Sequence, residues 1–329
     1  MNRNDPIDDP TSVLVVGAGA LGTVFANALA AEGLRVVLHS REPTRAALAE
    51  TGELVVRMPD GAAQRSAIGD RLTIGSPEDP GGIAPDIVIL ATKANQLEEA
   101  ITGIAAYDLD HAVALGTQNG VWKDGVIRDR FGAGAVPAAT FVGGERRSPG
   151  VVDLTLAGTT FVGTHPGILP LVSALKAQGL PCEARDDAAD VVWTKLVNSA
   201  AMFPISVLTR LSNPQIRGTD ALMEAYLGLV REAAAIARAS GRTLVDLPSI
   251  PLANVLAADP AAASGMLRGD RPATAAGARS SMLQDMLLQR PMEHEQVIGD
   301  LVRRADQLQM DAPRLRQAYQ LMSGIAEYL

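Results

Sequence analysis

Cysteine is all but missing from this sequence. The 329 residues contain one, Cys182, so no disulfide can form within the chain. That usage matches a reducing compartment, and the cytoplasm is the expected location. Histidine is almost as rare. His39, His111, His165 and His294 lie far apart and without the spacing of metal ligands, so no metal site is expected. An excess of positive charge is lacking too. Lys plus Arg number 29 against 37 for Asp plus Glu, a net charge of −8, and the isoelectric point is near 5.1. A general nucleic-acid binder needs a basic face, and this balance argues against one. A local basic pocket remains compatible with it.

Charge of either sign is absent from Val13 to Ala31, and Ala28-Leu29-Ala30 looks like a cleavage site. The flank holds Asp5, Asp8 and Asp9 rather than a basic region, and the stretch contains Gly17, Gly19, Gly22, Thr23 and Asn27. A buried strand, a glycine turn and a buried helix explain it better than a signal peptide or a membrane span. The expectation is a soluble protein with neither nucleic acid nor membrane as partner.

Apolar residues make up 47% of the chain and charged residues 20%, the composition of a globular protein. At roughly 100–200 residues per domain, the length predicts two domains. Over residues 1–185, β-rich runs alternate with helical stretches. The runs are Ser12–Val16, Leu34–His39, Asp86–Ala91, His111–Gly116 and Val136–Val142. Short apolar runs spaced this way predict parallel strands covered on both faces. Leu54–Met58 and Ala67–Ile74 flank a turn at Pro59-Asp60-Gly61. Val151–Leu156 and Thr159–Gly163 read as a hairpin turned at Ala157-Gly158. Residues 186–329 are helical in pattern: Asp186–Thr209, Asp220–Ala239 with Asp220 as cap and Gly241 as stop, Met282–Leu308, and Ala312–Tyr328. Ala253–Ala278 reads as a solvated loop, with a lid as the alternative. The fold class is thus α/β: a Rossmann-type dinucleotide-binding domain over 1–185, then an all-helical domain over 186–329.

Gly17-Ala18-Gly19-Ala20-Leu21-Gly22 fits G-x-G-x-x-G, after a strand and before a helix. Gly17 allows the tight turn, Gly19 the approach of a pyrophosphate, and Gly22 close packing of helix on strand. The helix N-terminus offers free N–H groups to the anion. The alternative is a glycine turn without a ligand. The second strand ends in His39-Ser40-Arg41, with no carboxylate at its tip to hold a ribose 2′-hydroxyl. Arg41 and Ser40 suit a 2′-phosphate, so the expected cofactor is NADPH. The plainer alternative for Arg41 is a solvated loop charge, which is common.

Lysine is scarce: Lys93, Lys123, Lys176 and Lys195, against 25 arginines. A retained lysine hints at a task arginine cannot do, such as donating a proton. Lys123 and Lys176 read as surface residues. Lys93 ends a β-run on the edge where parallel sheets bind ligands. Lys195 sits among Trp193, Leu196 and Val197, surroundings that can lower its pKa and make it a general acid. The plainer reading is a lysine snorkelling from a helix rim.

These pieces, in this order, resemble the ketopantoate reductase (2-dehydropantoate 2-reductase) family from Ser12 to about Ala318. They are the glycine turn, Ala91-Thr92-Lys93, Gln118-Asn119-Gly120, Pro149-Gly150-Val151-Val152, Trp193-Thr194-Lys195-Leu196 and Ser280-Ser281-Met282-Leu283-Gln284-Asp285, followed by Glu293. The resemblance implies reduction of 2-dehydropantoate to pantoate by NADPH, a step of pantothenate and coenzyme A biosynthesis. It implies that Lys195 protonates the alkoxide and that Glu293 orders that lysine and meets substrate hydroxyls. Lys93 and Asn119 fall at the junction of cofactor and substrate, and Ser281 meets the substrate. By the same resemblance, the helical domain supplies a homodimer surface. The chain departs from the family's pattern at Ser199, Phe203, Ala278 and Ile298, where asparagines are often found. Asn198 and Ser199 stand nearest to the first of these and are expected to line the substrate site. The departures predict a drier pocket. They leave open a relative acting on another 2-oxo acid or an imine, and a non-catalytic NADPH-binding sensor on the same fold. His294-Glu295 begins like a zinc motif, but Ile298 ends the match; His294 reads as solvent-facing or pocket-lining, and Glu295 as a helix-face residue.

Overall fold

The computed structural model describes residues 10–76, 83–248, 250–268 and 279–329. The chain divides into two compact units: 1–118 with 123–188, and 119–122 with 189–329. The short loop 119–122 leaves the first unit and clusters with the second.

In the first unit the elements run β1 (Ser12–Val16), α1 (Ala20–Ala31), β2 (Arg35–His39), α2 (Thr44–Thr51), β3 (Glu53–Arg57), β4 (Ala63–Ala67), β5 (Leu72–Gly75), β6 (Ile87–Leu90), α3 (Leu97–Gly103), β7 (Val113–Gly116), α4 (Trp122–Phe131), β8 (Ala138–Ser148), β9 (Val151–Gly163), α5 (Leu169–Ala177) and β10 (Cys182–Arg185). Five strands form one parallel sheet in the order β5-β2-β1-β6-β7. The chain steps outward from β1 through β2 and then resumes on the other side at β6. That reversal is a topological switch point, where parallel sheets bind ligands. A second sheet orders β10-β9-β3-β4, with β8 also on β9. Helix α1 packs against strands of both sheets, and every residue from Gly22 to Leu29 is buried. A helix covered on all faces leaves no place for a charge, which accounts for the uncharged stretch.

Three strand expectations about this unit change. Ala67–Ile74 is not one strand: Ala67 ends β4, and Leu72–Gly75 forms β5 in the parallel sheet. Val136–Val142 is no strand of the parallel sheet: the Val136 N–H donates to the Ala114 carbonyl in an isolated parallel bridge, and the residues from Ala138 open β8, antiparallel to β9. Ala157-Gly158 is not a turn either. Val151–Gly163 is one strand, and the hairpin turns at Pro149-Gly150, where Gly150 has φ +77°. The pairing passes from Thr140–Thr160 to Val142–Ala157, so one extra residue sits on β9. Gly158 belongs to that bulge: a Cβ there would lie 2.3 Å from the carbonyl oxygen of Phe141.

The second unit contains α6 (Ala188–Thr209), α7 (Asn213–Arg217), α8 (Asp220–Ala239), β11 (Asp246–Leu247), β12 (Ile250–Pro251), α9 (Leu252–Ala257), α10 (Pro260–Arg268), α11 (Ser281–Leu287), a π-helical turn (Glu295–Gly299), α12 (Asp300–Gln307) and α13 (Pro313–Ala326). Helix α6 is apolar and long enough to cross a membrane by length and composition, but 83% of its apolar window is buried inside the protein. Helix α8 ends as expected. Gly241 has φ +74°, its N–H donates to Arg238 and that of Arg242 to Ala237, the Schellman pattern. Its cap is Thr219 rather than Asp220, which is the first helical residue.

Ala253–Ala278 is not simply a loop. Two helices occupy most of it, and Asp259 starts the second by accepting from the N–H groups of Ala261 and Ala262. Its last ten residues, 269–278 with Ala278 at their end, lie outside the described residues. The expected helix over Met282–Leu308 is broken. Gln289, at φ +52°, closes α11, and Pro291 has no N–H with which to resume it.

Candidate active site

The glycine turn joins β1 to α1 at the switch point. Gly17 has φ +104°, and its N–H donates to the carbonyl of His39 at 2.9 Å. A Cβ at Gly22 would lie 1.8 Å from the carbonyl oxygen of Gly17, so only glycine lets the helix start this close. A Cβ at Gly19 would meet nothing nearer than the Ala91 carbonyl at 3.9 Å. The space before the helix is therefore open at Gly19. Helix α1 has no side-chain cap and no acidic residue in its first turn. Its leading N–H groups and positive dipole end are left to an anion. This cradle fits the diphosphate of a dinucleotide.

At the end of β2, Ser40 is buried, while Arg41 is exposed and pairs with Glu99 at 2.5 Å. Lys93 is exposed at the end of β6, beside the turn: a Cβ at Gly17 would lie 3.0 Å from Thr92 Cγ2. Gln118, buried, holds that strand end by donating to the carbonyls of Leu90 and Thr92, each at 3.0 Å. Lys123 is not a surface residue. It is fully buried, with its ammonium 3.3 Å from Asp124 and its stem beneath Gly116, where a Cβ would lie 3.2 Å from its Cδ. A glycine on the neighbouring strand makes the room that the local pattern of charges hides.

In the second unit, Asn119 and Glu293 meet across 174 positions of sequence. The Asn119 amide donates to Glu293 Oε2 at 3.2 Å, and Glu293 is buried. Gly120, at φ +96°, permits the approach, since a Cβ there would lie 2.5 Å from the Gln296 carbonyl oxygen. Glu293 stands just before the π-helical turn; such turns recur at functional sites. Lys195 is half-buried on α6, between buried Thr194 and Leu196. Trp193, one residue earlier in the run, lies under the guanidinium of Arg304, 5.2 Å from the ring centroid. Ser199, one turn after Lys195, is buried. Asn198 is drawn to Tyr226, whose hydroxyl donates to its Oδ1 at 2.8 Å; burial pushes the Tyr226 phenol up to about 12. Ser281 is exposed at the start of α11. Its neighbour Ser280 is buried, caps that helix at Leu283 and pairs with Ser206 at 2.5 Å.

Glu295 is more than a helix-face residue. It accepts from the Tyr319 hydroxyl at 2.6 Å and from Arg303 at 3.1 Å. Partial burial opposes its charge, but these bonds and the nearby Arg303 and His294 outweigh that and hold the carboxyl below its usual range. The bond to Glu295, aided by burial, holds the Tyr319 phenol above its own. His294 is buried rather than solvent-facing, and its ring tilts against Tyr319. No local motif announces this clasp, because Arg303 and Tyr319 lie 8 and 24 residues from Glu295. Among the described residues, no cluster of histidine, cysteine and carboxylate groups could hold a metal. Cys182 is buried, which pushes its thiol up to about 12 and leaves it unreactive.

Residues 13–167 match the family model for ketopantoate reductase PanE/ApbA, and residues 187–326 match its C-terminal model. The chain is 26% identical to a 2-dehydropantoate 2-reductase of Pyrococcus abyssi over 317 residues, 95% of this chain and 97% of the relative. The crystal structure of a PanE/ApbA family ketopantoate reductase from Ralstonia eutropha JMP134 superposes with a TM-score of 0.79 at 23% identity, covering 97% of this chain and 99% of the other. D-mandelate dehydrogenase, solved with NADH and anilino(oxo)acetate, shares the fold at a TM-score of 0.80 and 18% identity, with the same coverage. Carrying both parts of the family in their order, this chain belongs to the ketopantoate reductases, NAD(P)-dependent oxidoreductases.

Proposed function

We propose that the protein reduces the C2 ketone of 2-dehydropantoate to pantoate with NADPH. The observation that carries this reading is the Asn119–Glu293 hydrogen bond. It joins the loop after β7 to the acidic residue expected in the site. When bound, the nicotinamide supplies the hydride. The glycine turn would hold its diphosphate, Arg41 and Ser40 the 2′-phosphate, and Lys93 and Asn119 the nicotinamide end. Residues 1–185 thus serve the cofactor, and 186–329 serve the substrate.

Hydride arriving at the carbonyl carbon leaves negative charge on oxygen. The Lys195 ammonium offers both a positive charge and a proton to that oxygen, so the ketone becomes an alcohol. Glu293, fixed by Asn119, keeps the ammonium oriented and accepts from substrate hydroxyls. Ser199, Asn198 and Ser281 complete the substrate's surroundings.

The test is NADPH oxidation with 2-dehydropantoate beside a panel of other 2-oxo acids, for the wild type and Lys195→Ala. The expected result is turnover of 2-dehydropantoate, with kcat lowered by about 10²–10⁴ in the variant at unchanged NADPH affinity. A variant as active as the wild type would overturn the role of Lys195. One observation favours a second reading, reduction of a more apolar 2-oxo acid: the Asn198 amide oxygen is occupied by Tyr226, and Ile298 is wholly buried. Preference for such an acid in the panel would establish it.

A further inference from the structure

Strand β8 carries adjacent arginines with different surroundings. Arg147 is neutralised, pairing with Asp153 at 2.6 Å and with Glu145 at 2.9 Å. Arg146 forms no ion pair among the described residues. Its Nη1 instead points at the carbonyl of Ala18, 3.5 Å away. Ala18 lies between the first two glycines of the cradle. A Cβ at Gly144 would be in ordinary contact with Ala20 Cβ, 3.5 Å away, so β8 passes beside the start of α1. The six residues of the turn carry no charged side chain. A neutral carbonyl at the limit of hydrogen-bond range is a weak partner for a guanidinium. A phosphate oxygen is a charged one, and such bonds are shorter and roughly twice as strong.

We propose that Arg146 is a diphosphate-binding residue, the cation that completes the glycine cradle for NADH and NADPH alike. The proposal rests on the NAD(P) dependence of the family and on neither the choice of NADPH nor the identity of the oxo acid. It gives the two arginines separable tasks. Arg146 meets the group that both cofactors share, and Arg41 meets the group that only NADPH has.

The test is equilibrium binding by titration calorimetry, without substrate, of NADPH, NADH, ADP-ribose and adenosine 2′-monophosphate. Arg146→Ala is expected to weaken NADPH, NADH and ADP-ribose by a common factor of about ten. Adenosine 2′-monophosphate, which has no diphosphate, keeps its affinity. The salt dependence of dinucleotide binding falls. Arg146→Lys recovers part of the loss, and Arg147→Ala changes nothing. Arg41→Ala weakens NADPH and adenosine 2′-monophosphate and spares NADH. Unchanged affinities in Arg146→Ala overturn the proposal. So does a loss confined to NADPH, which would place Arg146 on the 2′-phosphate. Wild-type protein that binds neither cofactor would overturn the cofactor reading and this assignment together, whereas failure to reduce any oxo acid would touch only the proposed activity.

Discussion

The two units carry their functional residues in opposite ways. In the first, the cradle is six consecutive residues, Gly17 to Gly22, and backbone shape does the work. In the second, the Asn119–Glu293 pair and the Glu295 clasp are assembled from side chains far apart in sequence. At Gly17 and Gly22 a cradle made of backbone leaves no room for an added atom. A constellation made of side chains loses one function at a time.

The largest effect is expected where the backbone leaves no room. Gly22→Ala places a methyl 1.8 Å from the Gly17 carbonyl oxygen, and neither backbone segment can yield without moving β1 from α1. The cost expected is about 3 kcal/mol, with loss of dinucleotide binding. Thermal denaturation and titration of NADPH check both. A melting temperature near that of the wild type would show that the cradle is less rigid than the comparison holds.

A smaller and more selective effect is expected at Asn119. Asn119→Ala takes one donor from the buried Glu293, and kcat should fall about tenfold while the melting temperature falls by less than in Gly22→Ala. Steady-state kinetics beside a melting curve separate the two. An equal loss of stability and turnover would make the loop a structural prop.

The mildest is Tyr319→Phe, which removes one bond to Glu295. Because Glu295 is partly exposed, the loss should be at most about 1 kcal/mol. Its pH dependence has a fixed sign. Glu295 is held below its usual range, so its contribution is present above the unfolded carboxyl pKa and fades as pH falls through the lowered one. Tyr319 is held above its range, so its contribution is present below the unfolded phenol pKa and fades as pH rises through the raised one. The wild type should therefore exceed the variant on a plateau around neutral pH and converge with it at both extremes. Urea denaturation across pH measures this. A constant difference down to strong acid would remove Glu295 from the account.

How legible each part was follows from the range of the interactions behind it. Strand β1 runs Ser12–Val16, the boundaries read from its apolar pattern. The turn glycines were legible because a positive φ and a missing Cβ are written in residue identity. Gly158 misled because glycine marks both turns and bulges, and the pairing partner across the hairpin decides which. Lys123 misled because a charge reads as exposed unless the neighbour that hides it, here Gly116, is known. Pro260 read as a loop residue, although with Asp259 before it the same residue opens a helix.

The sequence by itself determined β1, α1 and β2 with the cradle glycines between the first two, the helical character of the second half, and the family. Those depend on backbone propensity, periodicity and contiguous motifs, which act over a few residues. Only the tertiary structure decided that Asn119 would meet Glu293, that Tyr226 would take Asn198, that Tyr319 and Arg303 would close on Glu295, and that Arg146 would reach Ala18. Each of those is a contact of 2.6–3.5 Å between atoms whose separation along the chain says nothing of their distance in space.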